Sequence, residues 1–182
     1  MDIRELLTVW QQASGPALMH AGATLKKFSG LDFVVKDSHV AIATWSTAVI
    51  QIQQSFTNPF YGVYVEATGL LPSTIILGFS PLNAQRLVSA LMEEEVELPL
   101  NDMGLSALQE VGNIVGTAYL NVFSDLLGTV WEPKLPQGGL TSPDEFVHQM
   151  TSAALVLLAE ALFEVPSEGV LGRMLVIPAF PE

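Results

Sequence analysis

The sequence predicts an α/β (α+β) sandwich, in which two similar halves with pseudo-twofold symmetry share one mostly antiparallel sheet. The first observation is composition: 49% of the 182 residues are hydrophobic and 14% are charged, which favours a large buried core. The second is an internal repeat, because two long helical patterns end in glycines, Gly30 and Gly128, that lie 98 residues apart. The third is that each half also contains the pattern of a β-hairpin.

The repeat begins with the two long helices, predicted over residues 5–30 and 103–128. Each pattern stops at a glycine, a common residue just after the last turn of a helix. A short strand is predicted after each helix, near residues 31–36 and 129–133. We expect the chain to form a single domain of residues 1–182, with a first half of about 1–98 and a second half of about 99–182.

The hairpins are predicted at residues 63–81 and 162–180, where two apolar runs flank a Gly/Pro turn. The apolar run at residues 153–163 is compatible with either a central strand or a dimer contact, so a homodimer is possible from the sequence.

Two shorter helices complete the predicted elements. One covers residues 80–95, with Ser80 as its cap and Pro81 in its first turn. The other covers residues 142–150, with Ser142 as its cap.

Composition and charge exclude several kinds of site. The chain has no cysteine, which excludes disulfides and thiolate metal sites. Its net charge is −12 and its seven basic residues are scattered, so no nucleic-acid surface is expected. A phosphorylated substrate would have to bring its own cations. The three histidines are isolated, and no metal site or cofactor is expected: His20, His39 and His148. No signal peptide or membrane span is recognisable, so we expect a cytoplasmic protein.

The helix at residues 105–128 has two faces when residues are placed at about 100° per step. The predicted core face consists of Leu105, Leu108, Val111, Val115, Ala118, Tyr119, Val122 and Leu126. The opposite, polar face consists of Ser106, Glu110, Asn113, Thr117 and Ser124. Gly112 and Gly116 flank the polar face and would let another backbone come close to it. The same pattern also fits an ordinary solvated face, with the glycines serving helix packing.

This segment resembles the CheC/CheX/FliY family of chemotaxis phosphatases. The family pattern is Asp or Ser, three residues, Glu, two residues, Asn, then 22 residues and Pro. Ser106, Glu110, Asn113 and Pro136 occupy these positions, although Pro136 also fits an ordinary loop proline. The segments "EVGNIVGTA", "GFSPLNAQRLVSALM" and "EGVLGRMLVIP" are similar to the family as well, and the resemblance covers nearly the whole chain. It implies a CheC-like fold of two related halves.

The resemblance also implies a reaction, the hydrolysis of the phosphoaspartate of a CheY-type response regulator. Asn113 would orient the attacking water, and Glu110 would pair with a lysine of the regulator. Ser106 would lie at the edge of the contact, and Pro136 would shape the adjacent loop. Mg²⁺ would be bound by the regulator and not by this chain.

A second such site is expected to be lost in the first half. The repeat places Thr8, Gln12, Gly15 and Ser38 at the positions of Ser106, Glu110, Asn113 and Pro136. Gln12 cannot pair with a cation as a glutamate does, and Gly15 has no amide side chain. Pro16 is also expected to disturb the helix there.

Three alternatives remain open from the sequence. The chain could be a non-catalytic scaffold that binds a response regulator, as the middle domains of flagellar switch proteins do. It could also act together with a CheD-type deamidase. Finally, its regulator could belong to a pathway other than chemotaxis.

Overall fold

The computed structural model describes residues 2–150 and 152–180, apart from the side chain of Asp37. Within these ranges the helices are α1 (Ile3–Ser29), α2 (Trp45–Ser55), α3 (Pro81–Met92), α4 (Asp102–Leu127) and α5 (Pro143–His148). The strands are β1 (Val34–Thr44), β2 (Phe60–Thr68), β3 (Ser73–Phe79), β4 (Glu132–Pro133), β5 (Gln137–Thr141), β6 (Leu155–Val165) and β7 (Val170–Pro178). None of the described helices is long and apolar enough to cross a membrane.

The strands form one antiparallel sheet in the order β1-β6-β7-β3-β2, and β4 and β5 both pair with the outer edge of β2. The strand that follows α1 therefore pairs with the hairpin of the second half. The strands that follow α4 pair with the hairpin of the first half. This exchange confirms the predicted fold class, a shared antiparallel sheet with long helices packed on it. The single domain and the division near residue 98 stay predictions.

The two long helices lie antiparallel on one face of the sheet. Trp10 of α1 stacks on Phe123 of α4, with ring centroids 4.1 Å apart. One turn further along α1, the hydroxyls of Ser14 and Tyr119 are 3.1 Å apart. Burial raises the pKa of the Tyr119 phenol far above its ordinary value, and the Ser14 hydroxyl and Trp10 indole offset only part of that effect. The helices thus contact each other through a neutral, buried seam.

The opposite face of the sheet is covered by α2 and α5 over part of its area. Phe60 lies between Phe56, with ring centroids 4.6 Å apart, and Phe146, with ring centroids 5.6 Å apart. Beyond these helices the face carries charged pairs between β1 and β6.

Two such pairs cross from β1 to β6. Lys36 contacts Glu164 at 2.6 Å, and Nε2 of His39 contacts Glu160 at 2.8 Å. Of the three histidines expected to be isolated, His39 therefore has a carboxylate partner, whereas His20 and His148 are exposed. Among residues 2–150 and 152–180, no group of three or more His, Cys, Asp or Glu could hold a metal ion.

The predicted glycine stops of the long helices and serine caps of the shorter ones are confirmed. Gly30 and Gly128 follow the long helices in the left-handed conformation, with φ of 74° and 61°. Ser80 and Ser142 cap α3 and α5 by accepting hydrogen bonds from backbone N–H groups three residues later.

Pro16 does not disturb its helix, contrary to expectation. The backbone of α1 is continuous from Ile3 to Ser29, and Pro16 lies on its exposed side. The carbonyl that loses its partner belongs to Gln12, which is also exposed, so water can replace the missing hydrogen bond.

Helices α3 and α5 end at Met92 and His148, before the predicted residues 95 and 150. Two further segments also differ from prediction. The strand expected near residues 31–36 runs to Thr44 as β1, and helix α2 follows at once with Thr44 as its cap. The run at residues 153–163 falls largely within β6, which lies between β1 and β7, so the central-strand interpretation is correct.

Candidate functional site

Helix α4 carries the candidate site, and local interactions fix both its ends. The Asn101 side chain accepts a hydrogen bond from the Gly104 N–H at 2.9 Å, which caps the N-terminus. The 26-residue helix then continues to its left-handed glycine cap. A rigid helix of this length holds side chains on one face in a fixed spacing.

The two glycines of α4 face the sheet. This corrects the expectation that they let another backbone approach the polar face. A methyl group added at Gly112 would lie 2.5 Å from Cγ1 of Val63 on β2. One added at Gly116 would lie 3.4 Å from Cδ1 of Ile75 on β3. Both glycines are buried. The backbone that approaches α4 closely is therefore the chain's own sheet.

The predicted polar face of α4 is accessible where the candidate residues lie. Ser106 and Glu110 are exposed, and Asn113 is half-buried. Within the described part of the chain, none of these three side chains makes a hydrogen bond or an ion pair. Their spacing of four and three residues places them on one stripe of the helix. The structure thus brings together Ser106, Glu110 and Asn113 with their polar atoms unengaged.

The opposite face of α4 is less buried at its C-terminal end than predicted. Leu108, Val111, Val115 and Tyr119 are buried as expected. Leu126, predicted on the core face, is 60% exposed in the last turn of α4.

Strand β5 runs alongside α4 on the outer edge of the sheet. Gly138 pairs with Val63, and the Gln109 side chain donates a hydrogen bond to the Gly138 carbonyl at 3.3 Å. Gly138 has a φ of 145°, and an added methyl group there would collide with the Gly62 carbonyl. Gln109 had not been singled out from the sequence, since its contact depends on how β5 lies beside the helix.

Pro136 lies just before β5, at the level of Gly116 on α4. Gly112 packs on Val63 and Gly116 packs on Val65, so α4 and β2 run in the same direction. β5 is antiparallel to β2, which places the residue before Gln137 beside the turn of α4 that contains residues 113–116. Pro136 is half-buried there. The fourth residue of the sequence pattern therefore flanks the stripe formed by the other three.

The ionisable residues described around β5 face away from α4, because Val63 and Val65 are the β2 residues that contact the helix. Lys134, on the edge strand nearby, contacts Glu66 at 3.4 Å. On the far face of β5, Tyr64 donates a hydrogen bond to the Gln137 side chain at 2.6 Å. Burial and then the Glu66 carboxylate raise the pKa of Tyr64, so that phenol stays neutral. Lys134 is therefore paired on the face of the sheet opposite the stripe.

The corresponding stripe in the first half has different chemistry. Thr8 donates its hydroxyl to the Arg4 carbonyl of the same helix at 2.9 Å. Gln12 is exposed, and a methyl group added at Gly15 would have nothing within 4 Å. Ser38 lies exposed in β1. The arrangement offers no carboxylate at the position of Glu110 and no side-chain amide at the position of Asn113.

Comparison with known proteins identifies the fold. No protein-family model and no curated protein matches the sequence. Among solved structures, the chain is similar to Thermotoga maritima FliY, with a TM-score of 0.73, 18% identity, and coverage of 98% of this chain and 91% of that chain. It is similar to FliM in the FliM–SpeE complex from H. pylori, with a TM-score of 0.68, 14% identity and coverage of 98% and 90%.

A third similar structure is the CheX–CheY–BeF3–Mg²⁺ complex from Borrelia burgdorferi, with a TM-score of 0.61, 17% identity, and coverage of 90% and 96%. At these identities the comparisons establish the fold alone. The chain thus has the fold shared by CheC-like, CheX, FliY and FliM proteins, which confirms at that level the resemblance seen in the sequence.

Proposed function

We propose that this protein is a CheC-like phosphatase that hydrolyses the phosphoaspartate of a CheY-type response regulator. The observation that carries the proposal is the Asn113 carboxamide, which is accessible and makes no hydrogen bond within the described chain. It lies one turn from the exposed carboxylate of Glu110. The fold supports the proposal, since one solved protein of this fold forms a complex with CheY, BeF3 and Mg²⁺.

The reaction needs a water molecule in line with the phosphorus and the leaving carboxylate oxygen. The Asn113 side-chain oxygen accepts a hydrogen bond from that water, and its NH₂ group donates to a phosphoryl oxygen. The water forms a bond to phosphorus while the bond to the aspartyl oxygen breaks. The products are the free aspartate and inorganic phosphate. Positioning accounts for most of the rate increase, because an acyl phosphate is already an activated group.

Neutralisation of the phosphoryl charge is assigned to the regulator. The chain carries a net charge of −12, and Lys134 near the site is already paired with Glu66. The regulator's own Mg²⁺ and lysine would balance the phosphoryl oxygens, and Glu110 would pair with that lysine to fix the register of the complex. Ser106 lies at the edge of this contact, and Pro136 shapes the strand edge beside it.

The proposal is tested by following phosphoaspartate decay in CheY-type regulators. Each regulator is phosphorylated with a small-molecule phosphodonor in the presence of Mg²⁺, and decay is measured with and without this protein. We expect decay of at least one regulator to accelerate with substoichiometric protein. If every regulator that binds the protein decays at its intrinsic rate, the phosphatase assignment is wrong.

Glu110→Ala is expected to weaken the complex with the regulator more than it slows the chemical step. Removing the carboxylate leaves the regulator's lysine without its partner, so KM should rise about tenfold and kcat should fall less. The measurement is steady-state dephosphorylation over a range of regulator concentrations.

Gln12→Ala supplies the control for Glu110→Ala. Gln12 occupies the equivalent place on α1 and is also exposed, so its removal should leave KM and kcat unchanged. An equal loss in both variants would mean that the first half also contributes to turnover.

A second candidate function is a scaffold that binds a regulator without hydrolysing its phosphoaspartate. The similarity to FliM middle domains favours it, because the H. pylori structure matches over 98% of this chain. Binding without accelerated decay would identify this function. A CheD-type partner, a homodimer and a cytoplasmic location stay predictions.

A further inference from the structure

The edge strand beside the candidate site contains one extra residue. From Pro133 to Gln137 the outer strand advances four residues, while its partner β2 advances three, from Ala67 to Tyr64. The Lys134 N–H still donates to the Glu66 carbonyl, at 2.7 Å, so the irregularity falls on residues 135 and 136. This is a β-bulge, a feature that turns a side chain away from the regular pattern of the sheet.

Leu135 is the side chain that this bulge displaces. It is 86% exposed, the highest value among the large hydrophobic residues of the described chain. Its neighbour Pro136 is half-buried beside the turn of α4 that holds Asn113. The exposed leucine therefore directly precedes the proline that flanks the turn of Asn113.

The first half has the same bulge with different residues. β1 advances three residues from Lys36 to His39 while β6 advances two, from Leu162 to Glu160. The sequence there has Asp37 and Ser38 where the second half has Leu135 and Pro136. The backbone irregularity thus belongs to the repeated fold, whereas the exposed leucine occurs only in the half that also carries Glu110 and Asn113.

Charge explains why an apolar contact is needed at this place. The chain carries a net charge of −12, and Lys134, which precedes Leu135, is paired with Glu66. Burial of one exposed leucine in a complex can lower Kd about tenfold or more. By its register Leu135 lies at the end of the stripe that contains Asn113 and Thr117.

We propose that Leu135 is a docking residue that selects the response regulator, by packing on an apolar patch of the receiver domain beside its phosphorylated aspartate. The proposal rests on the proposed function, since it takes the same partner and the same face of α4. Leu135 acts on binding and does not touch the reacting atoms.

The test compares Leu135→Ser with Leu126→Ser. Leu126 is 60% exposed but lies thirteen residues beyond Asn113, about 20 Å along α4, so it controls for loss of an exposed leucine. Binding is measured by titration with CheY-type receiver domains charged with BeF3⁻ and Mg²⁺. Turnover is measured with the same receivers after phosphorylation.

We expect Leu135→Ser to raise Kd and KM about tenfold while kcat stays within about twofold. Leu135→Met should restore most of the affinity, because it keeps an apolar side chain of similar volume. Leu126→Ser should match the wild-type protein. Circular dichroism spectra of the variants verify that the fold is unchanged.

The outcomes separate this inference from the proposed function. If Leu135→Ser binds as tightly as the wild-type protein, the docking role is wrong, whatever the turnover. If the wild-type protein binds a receiver without accelerating decay and Leu135→Ser loses that binding, the docking role stands and the phosphatase function fails. If no charged receiver binds the wild-type protein, both are overturned.

Discussion

Asn113→Ala is expected to reduce kcat for phosphoaspartate hydrolysis by about 100-fold or more, to a rate close to the regulator's intrinsic decay. The substitution removes both the acceptor for the attacking water and the donor to the phosphoryl group. Binding should change little, because the carboxamide is small and Glu110 remains in place. The measurement is single-turnover decay with the regulator saturated by this protein.

Asn121→Ala is the matched control for this variant. It makes the same chemical change on the same helix, two turns further on, at an exposed position. Both substitutions should shift the free energy of unfolding by less than about 0.5 kcal/mol, since neither side chain makes a hydrogen bond within the described chain. A lost rate in Asn113→Ala can then be assigned to chemistry and not to unfolding.

Full activity in Asn113→Ala would contradict the proposed role of the carboxamide, although the protein would still be a phosphatase. The water would then have to be positioned by another group, and the nearest polar side chains on the stripe are Glu110 and Thr117. Equal losses in Asn113→Ala and Asn121→Ala would instead indicate a general effect of changes on this face of α4.

The sequence predicted the features that depend on short-range signals. Gly30 and Gly128 mark helix ends because the left-handed conformation there suits a residue without a side chain. Ser80 and Ser142 mark helix starts because their hydroxyls cap backbone N–H groups. The stripe of Ser106, Glu110 and Asn113 followed from the period of the helix alone. The 98-residue spacing of the two glycines also led to the prediction of two related halves.

Features that depend on tertiary contacts were not predictable in the same way. Nothing in the helical spacing shows that Gly112 lies against Val63, because the position of the sheet is set by the whole fold. The exchange of strands between the halves and the bulge at Leu135 are likewise properties of register. Helix α2 was missed because its sequence, "WSTAVIQIQQS", has β-branched residues that are equally typical of a strand.

Gly112→Ala is expected to lower the free energy of unfolding by about 1 kcal/mol. A methyl group at this position would lie 2.5 Å from Val63 Cγ1, and both residues are buried where helix and strand meet. Val63 is branched at Cβ and cannot swing its methyl groups aside. The strain of overpacking, about 1–3 kcal/mol, therefore exceeds the roughly 1 kcal/mol of helix propensity gained.

Gly116→Ala is the matched control, one turn further along the same face of α4. Its added methyl group would meet Ile75 Cδ1 at 3.4 Å, an ordinary contact with the flexible end of a side chain. The gain in helix propensity then dominates, and stability should rise by about 0.5–1 kcal/mol. Urea titrations of both variants measure the difference. Equal stability in the two would mean that α4 can move away from β2 at little cost.

The same pair of variants tests whether the packing of α4 positions the site. To relieve the contact at Gly112, the helix must rise from the sheet by roughly 1 Å, and Asn113 moves with it while β5 stays paired to β2. A displacement of that size can cost about 100-fold in rate when catalysis depends on orientation. We therefore expect Gly112→Ala to lose kcat under conditions where it is fully folded, and Gly116→Ala to keep it. Undiminished turnover in folded Gly112→Ala would show that the carboxamide does not depend on the close approach of helix and sheet.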